Sequence, residues 1–250
     1  FGTLTELKRL DPTLPVVLGS SMDERGAAVT LELLSLGAKE FVVKPSVASL
    51  DEAEAYVAEH LIPLLKALAE PKPAPGAPLP QAKAPTAVRA IVIGVSTGGP
   101  DALVTLLNGL PPVLRVPVFV VQHMPPMFTR LLAERLNRLG RLPVHEAADG
   151  RPVKAGTVYI APGDRHLHLT RFGDLARIRL GDEPAENSCR PAADVLFRSA
   201  VEVYGAGVLA VVLTGMGHDG LRGCKAVRAA GGHVVVQDPS TAVIGSMPAA

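Results

Sequence analysis

Apolar and polar positions alternate along this chain in blocks that switch regularly between helical and extended spacing. Ahead of residue 70, Leu4 to Leu10 has helical spacing and Val16-Val17-Leu18 is a short apolar run. Glu24 to Leu36 is helical and closes at Gly37, and Glu40 to Val43 is a second strand. A further helix is expected from Asp51, interrupted at Pro63, because proline has no N–H to donate and crowds the turn before it. Strands alternating with helices predict a parallel sheet covered by helices. Glu70 to Thr86, EPKPAPGAPLPQAKAPT, is mostly Pro and Ala without a periodic face and reads as an extended linker.

The alternation resumes at larger scale beyond the linker. Ala90 to Val95 is a buried strand, Pro100 to Leu107 a helix with Pro100 and Asp101 in its first turn, Val116 to Gln122 a strand, and Phe128 to Leu139 an amphipathic helix ending at Gly140. Val158-Tyr159-Ile160 is followed by two alternating runs, His166 to Phe172 and Leu175 to Leu180. Gly173-Asp174 joins them, which predicts an antiparallel hairpin exposed on one face. A helix over Ala192 to Tyr204, the strand Val208 to Leu213, a helix over Leu221 to Ala230 and the strand His233 to Val236 complete the pattern. The expected fold class is α/β: a doubly wound, mostly parallel sheet with an inserted antiparallel β-hairpin, preceded by a smaller α/β segment.

Composition narrows the function classes. The 250 residues carry 25 Lys+Arg against 24 Asp+Glu, with 4% aromatic residues and no Trp, so neither the clustered basic charge nor the stacking platforms of a nucleic-acid binder are present. The longest apolar run, Gly205 to Leu213, is far short of the roughly 18 residues that span a bilayer, which predicts no membrane insertion. Two lone cysteines, Cys189 and Cys224, make no disulfide framework, and no secretory leader is visible, which together predict a cytoplasmic protein. The chain begins at Phe1 and stops just after Met247-Pro248, as a piece of a longer protein would.

In open parallel sheets, ligands bind beyond the carboxyl ends of the strands, where loops and helix N-termini converge. Three such ends carry chemistry: Ser96-Thr97-Gly98-Gly99-Pro100, His123-Met124-Pro125-Pro126, and Thr214-Gly215-Met216-Gly217-His218-Asp219-Gly220. A serine, a histidine and a carboxylate on one rim are the three roles acyl transfer needs: a nucleophile, a base to take its proton, and an acid to orient the imidazolium. The N–H of Thr97 and one from the Gly215-Met216-Gly217 turn are candidates for an oxyanion hole. The competing structural readings are helix N-caps for Ser96 and Asp219 and a packed histidine for His123. His218, beside Asp219, competes as the base.

Other readings are weaker. Gly94-x-x-x-Gly98-Gly99 resembles a nucleotide loop but lacks both the G-x-G-x-x-G spacing and a Gly-Lys-Ser/Thr. His166 and His168, near Asp164, share one strand face and have zinc-like i, i+2 spacing, but no third spaced ligand appears, so a solvated strand face is expected and no metal. Cys189 falls in a loop far from any strand end and reads as an ordinary small residue; His60, His145 and His233 read as structural. Met124 to Met127 is an apolar stretch that either receives a substrate's flank or simply packs. No cofactor is expected.

GVSTGGP (94–100), QHMPPMFTRLLAERLN (122–137), YIAPGDRH (159–166), RPAADVLFRSA (190–200) and LTGMGHDG (213–220) resemble, in order, the CheB family of chemotaxis protein-glutamate methylesterases. The resemblance implies a catalytic domain over 88–250, truncated at its C-terminus, with a triad of Ser96, His123 and Asp219 and an oxyanion hole from the Thr97 and Met216 amides. It also implies hydrolysis of glutamate γ-methyl esters on the cytoplasmic domains of methylated chemoreceptors, with deamidation of receptor glutamines as a companion activity. Family members often carry Asn where His218 stands. Residues 1–69 resemble the C-terminal part of a response-regulator receiver domain: VVLGSS puts Ser20 at the switch hydroxyl and FVVKPS puts Lys44 at the phosphate-binding lysine. The phosphoacceptor aspartate expected upstream is absent, so phosphoryl transfer from a histidine kinase is expected only of the full-length protein. Residues 70–87 are then the interdomain linker. The alternative is a non-catalytic module that docks receptors or signalling partners. A lipase-type hydrolase is disfavoured, because its triad runs Ser, Asp, His within G-x-S-x-G.

Overall fold

The structure, a computed structural model, describes residues 1–45, 49–71, 87–173 and 175–250. The chain forms two compact units that meet in sequence between residues 72 and 73. The first contains α1 (Gly2–Leu10), β1 (Val17–Ser20), α2 (Glu24–Ser35), β2 (Glu40–Val43), α3 (Leu50–Tyr56) and α4 (Ile62–Ala69), with β1 and β2 paired in parallel. The expected break at Pro63 takes the form of a π-helical turn, Val57–Leu61, between α3 and α4. Widening the turn ahead of the proline accommodates the missing donor without ending the helix. The expected linker lies almost wholly outside the described residues.

The second unit contains β3 (Ala90–Val95), α5 (Gly99–Gly109), β4 (Val118–Gln122), α6 (Pro126–Leu139), β5 (Val144–Glu146), β6 (Val158–Ile160), β7 (His166–Phe172), β8 (Leu175–Gly181), α7 (Ala193–Tyr204), β9 (Val208–Val212), α8 (Leu221–Ala229), β10 (His233–Val236) and α9 (Ser246–Ala249). Six strands form one sheet in the order β10-β9-β3-β4-β6-β5, every pair parallel. Chain connections leave β3 in one direction toward β4 and return to its other side at β9. The carboxyl ends of β3 and β9 therefore flank the switch point, where an open α/β sheet leaves a crevice. The hairpin is a separate two-stranded sheet whose register pairs Phe172 with Leu175; Asp174 of its turn lies outside the described residues.

Every residue of β3 and β4 is buried, which explains why these strands read as unbroken apolar runs and not as alternating ones. Ala90 and Val92, Phe119 and Val121, Tyr159, and Val208, Ala210 and Val212 face a core completed by Leu167, Leu169 and Ile178 of the hairpin and by Leu196 and Phe197 of α7. β5 and α9 were not legible in the apolar pattern. β5 has three residues of which only Val144 is buried, and pairing with β6, not periodicity, makes it a strand.

Close backbone approaches shape the rim above the sheet. A side chain at Gly94 would meet Ala193 Cβ at 2.7 Å, so α7 begins directly over the end of β3. Gly163 lies against the backbone of Met124, Pro125 and Pro126 so closely that a methyl group there would overlap it. Gly163→Ala is expected to cost about 1–3 kcal/mol of stability by overpacking, read as a lowered melting temperature by circular dichroism; an unchanged melting temperature would show that the 123–126 loop yields freely.

Candidate active site

The register of the sheet brings the three predicted strand ends side by side. The last β3–β4 pair is Val95 with Gln122, so one step further Ser96 stands opposite His123, whose N–H donates to Val95 O at 3.2 Å. On its other side Ser96 N–H donates to Thr214 O at 3.0 Å. Ser96 is half-buried and does not cap α5: the N-cap is Gly98 in the left-handed conformation, with no side-chain cap. Gln122, 1% exposed, steadies this turn by donating from Nε2 to Ser96 O at 3.0 Å.

His123 Nε2 and Asp219 Oδ2 are 2.8 Å apart. A carboxylate only accepts, so Nε2 carries the proton and Nδ1 is the nitrogen left to act as a base. Asp219 is not the N-cap of α8, a position held by Gly220. Its carboxylate instead lies at the N-terminus of α7, where Ala193 N–H donates to Oδ2 at 2.6 Å and Asp194 N–H to Oδ1 at 3.1 Å. Gly220 N–H and Asn187 Nδ2 donate to Oδ1 at 3.0 and 2.9 Å. Five donors and a helix N-terminus suit a buried anion.

A second carboxylate mirrors this arrangement. Asp194, fully buried in the first turn of α7, accepts Gly223 N–H at 2.6 Å in the first turn of α8 and Asn187 Nδ2 at 3.0 Å. Each helix thus has its start bound by an acid from the start of the other, and Gly223 lets them approach until a Cβ there would meet Phe197 Cβ at 2.5 Å. Neither Asp194 nor Asn187 carried a sequence signal for this role.

Asn187 reaches both acids from a two-residue turn. Glu186 and Cys189 exchange backbone hydrogen bonds at 3.1 and 2.9 Å, with Asn187 and Ser188 at φ 53° and 61° between them. Two left-handed residues make a turn of the I′ class, for which asparagine is well suited. The loop is pinned by a two-pronged Glu186–Arg198 ion pair at 2.8 and 2.6 Å and by Arg190 on Asp164 and on the carbonyls of Asp182 and Glu183. This turn corrects the expectation for Cys189: the thiol is not remote but sits with Sγ 3.5 Å from His123 Nδ1. Among the described residues the Ser96 hydroxyl makes no hydrogen bond, so Nδ1 meets sulfur and not the serine oxygen.

The electrostatics follow from these partners. Burial works to lower the His123 pKa, but the Asp219 carboxylate and the Cys189 sulfur outweigh it and push it up to about 9. Burial likewise works to raise Asp219, yet the imidazole and the α7 amides hold it below the usual carboxylate value. His218 is exposed, and His123, not His218, meets Asp219. The Thr97 and Met216 N–H groups have no intramolecular partner among the described residues, and Gly215 places that second turn against Ser96, with 2.8 Å between a Cβ built there and Ser96 Cβ.

The remaining candidates are engaged elsewhere. His166, 1% exposed, accepts Ala192 N–H on Nδ1 at 3.2 Å and donates from Nε2 to Pro184 O at 3.1 Å, so it is a buried brace and not part of a solvated face. His168 meets Glu183 at 3.3 Å. The donor atoms of His123, Cys189 and Asp219 lie within 4.8 Å of one another, with Asp219 on Nε2 and Cys189 on Nδ1 of the imidazole. In the first unit, Ser20 and Lys44 stand at the ends of adjacent parallel strands, Lys44 N–H donating to Ser20 O at 2.7 Å; the Ser20 hydroxyl is buried against Thr30 Oγ1 at 2.7 Å. Met124 is buried, whereas Pro126 is exposed. No helix among the described residues is long and apolar enough to cross a membrane.

Removing the mirror acid tests the paired caps. Asp194→Ala strands the Gly223 N–H and is expected to cost about 1–3 kcal/mol, measured as a shift of the urea midpoint; a shift within error would mean that the Asp194 side chain does not hold the start of α8.

Comparison with known proteins agrees with the geometry. Residues 91–250 match the family described as CheB methylesterase. A protein-glutamate methylesterase/protein-glutamine glutaminase of Trichodesmium erythraeum is 45% identical over 98% of this chain and 74% of its own length. One from a Nocardioides species is 47% identical over 95% of this chain and 69% of its own. The crystal structure of the Thermotoga maritima CheB methylesterase catalytic domain superposes with a TM-score of 0.64 at 44% identity, covering 66% of this chain and 87% of that one. A parallel sheet with serine, histidine and aspartate at its switch point, matched over residues 91–250, is that of a hydrolase, and this chain belongs to the CheB methylesterase family.

Proposed function

We propose that this chain hydrolyses the γ-methyl esters of methylated glutamates on the cytoplasmic domains of chemoreceptors, releasing methanol, with Ser96 as nucleophile, His123 as base and Asp219 as its orienting acid. The observation that carries this reading is the 2.8 Å contact between Asp219 and His123 Nε2, which makes Nδ1 the basic nitrogen of a ring one register step from Ser96. Nδ1 takes the Ser96 proton as the hydroxyl oxygen attacks the ester carbonyl. The oxyanion is met by the Thr97 and Met216 N–H groups, and the imidazolium returns its proton to departing methanol. Water then repeats the sequence on the acyl-serine and frees glutamate. The same steps on a side-chain amide release ammonia, the deamidation named in the relatives' second title.

Residues 1–69 are assigned to the C-terminal part of a receiver domain, with Ser20 and Lys44 as its switch-like residues, residues 70–87 to the linker and 88–250 to the catalytic domain. In the full-length protein a histidine kinase would supply the phosphoryl group to that receiver, and the protein would work in the cytoplasm.

Ser96→Ala is expected to lower methanol release from a methylated receptor fragment by roughly 10⁴-fold or more, while His218→Ala leaves it within about twofold, since the His218 side chain is exposed and His123, not His218, holds Asp219. Retained activity in Ser96→Ala, or its loss in His218→Ala, would overturn the assignment. An imidazolium accepts no proton, so a His123 pKa raised to about 9 makes kcat/KM climb with pH through that value and not through the usual 6.5. Asp219→Asn removes the carboxylate that raises it, and both the midpoint of that limb and its plateau are expected to fall. A limb that stays centred near 9 in Asp219→Asn would contradict the pairing.

A further inference from the structure

The mechanism leaves one feature unused: a thiol sits on the nitrogen that the serine needs. Cys189 Sγ is 3.5 Å from His123 Nδ1, the imidazole is backed by Asp219 at 2.8 Å, and Cys189 as a residue is partly exposed. Thiol, imidazole and carboxylate are clustered, their nearest atoms within 4.8 Å of one another, which places the ring to take the thiol proton as sulfur attacks and the acid to stabilise the resulting cation. The position is fixed: the Asn187-Ser188 turn carrying Cys189 is bound to Asp219 and Asp194 through Asn187 and to α7 through Glu186 and Arg198.

We propose that Cys189 is a site of reversible oxidation by small hydroperoxides, and that its oxidation switches the esterase off. The proposal deepens the reading of Ser96, His123 and Asp219 as the catalytic groups and rests on it for its effect on activity. In the first step the Cys189 thiolate attacks the terminal oxygen of a hydroperoxide. The S–O bond forms as the O–O bond breaks, sulfur loses two electrons to become a sulfenic acid, and the departing alkoxide or hydroxide takes the His123 proton to leave as alcohol or water. The new S–OH group then stands between sulfur and Nδ1 and donates to the lone pair that would otherwise receive the Ser96 proton. A small thiol reverses the change: it displaces water to form a mixed disulfide, and a second equivalent releases the Cys189 thiolate.

The molecule supplies its own comparator. Cys224, also partly exposed, has no imidazole beside it; burial and the charge of Asp194 push its pKa up to about 11, where almost no thiolate exists at neutral pH. Iodoacetamide labelling of the whole chain at pH 7, followed by peptide mass spectrometry, is therefore expected to modify Cys189 roughly tenfold or more faster than Cys224. His123→Ala is expected to remove most of that advantage without changing the Cys224 rate. Hydrogen peroxide is expected to suppress methanol release by about tenfold, with recovery on adding dithiothreitol. Cys189→Ala, whatever its own rate, is expected to keep that rate under the same peroxide. Equal labelling of the two thiols, a Cys189 rate indifferent to His123→Ala, or equal peroxide loss in Cys189→Ala would each overturn the proposal. Labelling is read without turnover: if Ser96→Ala retained activity while Cys189 still reacted fast, the catalytic assignment would fail and the thiol's reactivity would stand.

Discussion

One carboxylate joins the parts of this site. Asp219 is 3% exposed and would be costly to bury as an anion were it not met on every side: the first N–H groups of α7, the amide of Gly220, the side chain of Asn187 and the imidazole of His123 all donate to it. The helix start contributes partial positive charge that favours the ionised acid, and the ionised acid in turn favours a protonated, correctly oriented ring. The acid–base character of the site is thus set by how α7 and α8 dock, and Asp194 locks that docking from the opposite side.

Glycines decide how closely the backbone can crowd this point. Gly94 admits the start of α7 over β3, Gly223 admits α8 against Phe197, and Gly215 brings the turn after β9 against Ser96. These approaches place the ends of three parallel strands and the start of one helix around a single point, where the sheet changes the direction of its connections.

Much of this was legible in the sequence, for a physical reason. Strands buried on both faces are continuous apolar runs, so their ends are sharp, and the residues after them, Ser96, His123 and Asp219, could be read off as neighbours before any coordinates. Asp194, Asn187 and Cys189 could not. Residues 181–192 have no periodicity, and their placement depends on a two-residue turn whose only local signal is Asn187 followed by a small polar residue. Cys189 reads as remote in the sequence because separation from a strand end along the chain does not measure distance in space. β5 escaped notice because a three-residue edge strand with one buried side chain owes its existence to its neighbour.

The site is also dispersed along the polypeptide. His123 and Asp219 meet across 96 positions, Cys189 and His123 across 66, and the Thr214 hydroxyl reaches the Thr97 carbonyl across 117. No contiguous stretch holds Ser96 together with His123 and Asp219, so the groups proposed for catalysis meet only in the folded unit, and on a nascent chain Ser96 is an ordinary alcohol. On the assignment proposed for these residues, esterase chemistry begins only once β9 and α8 have docked beside β3, so that folding itself keeps an unfinished enzyme from other esters.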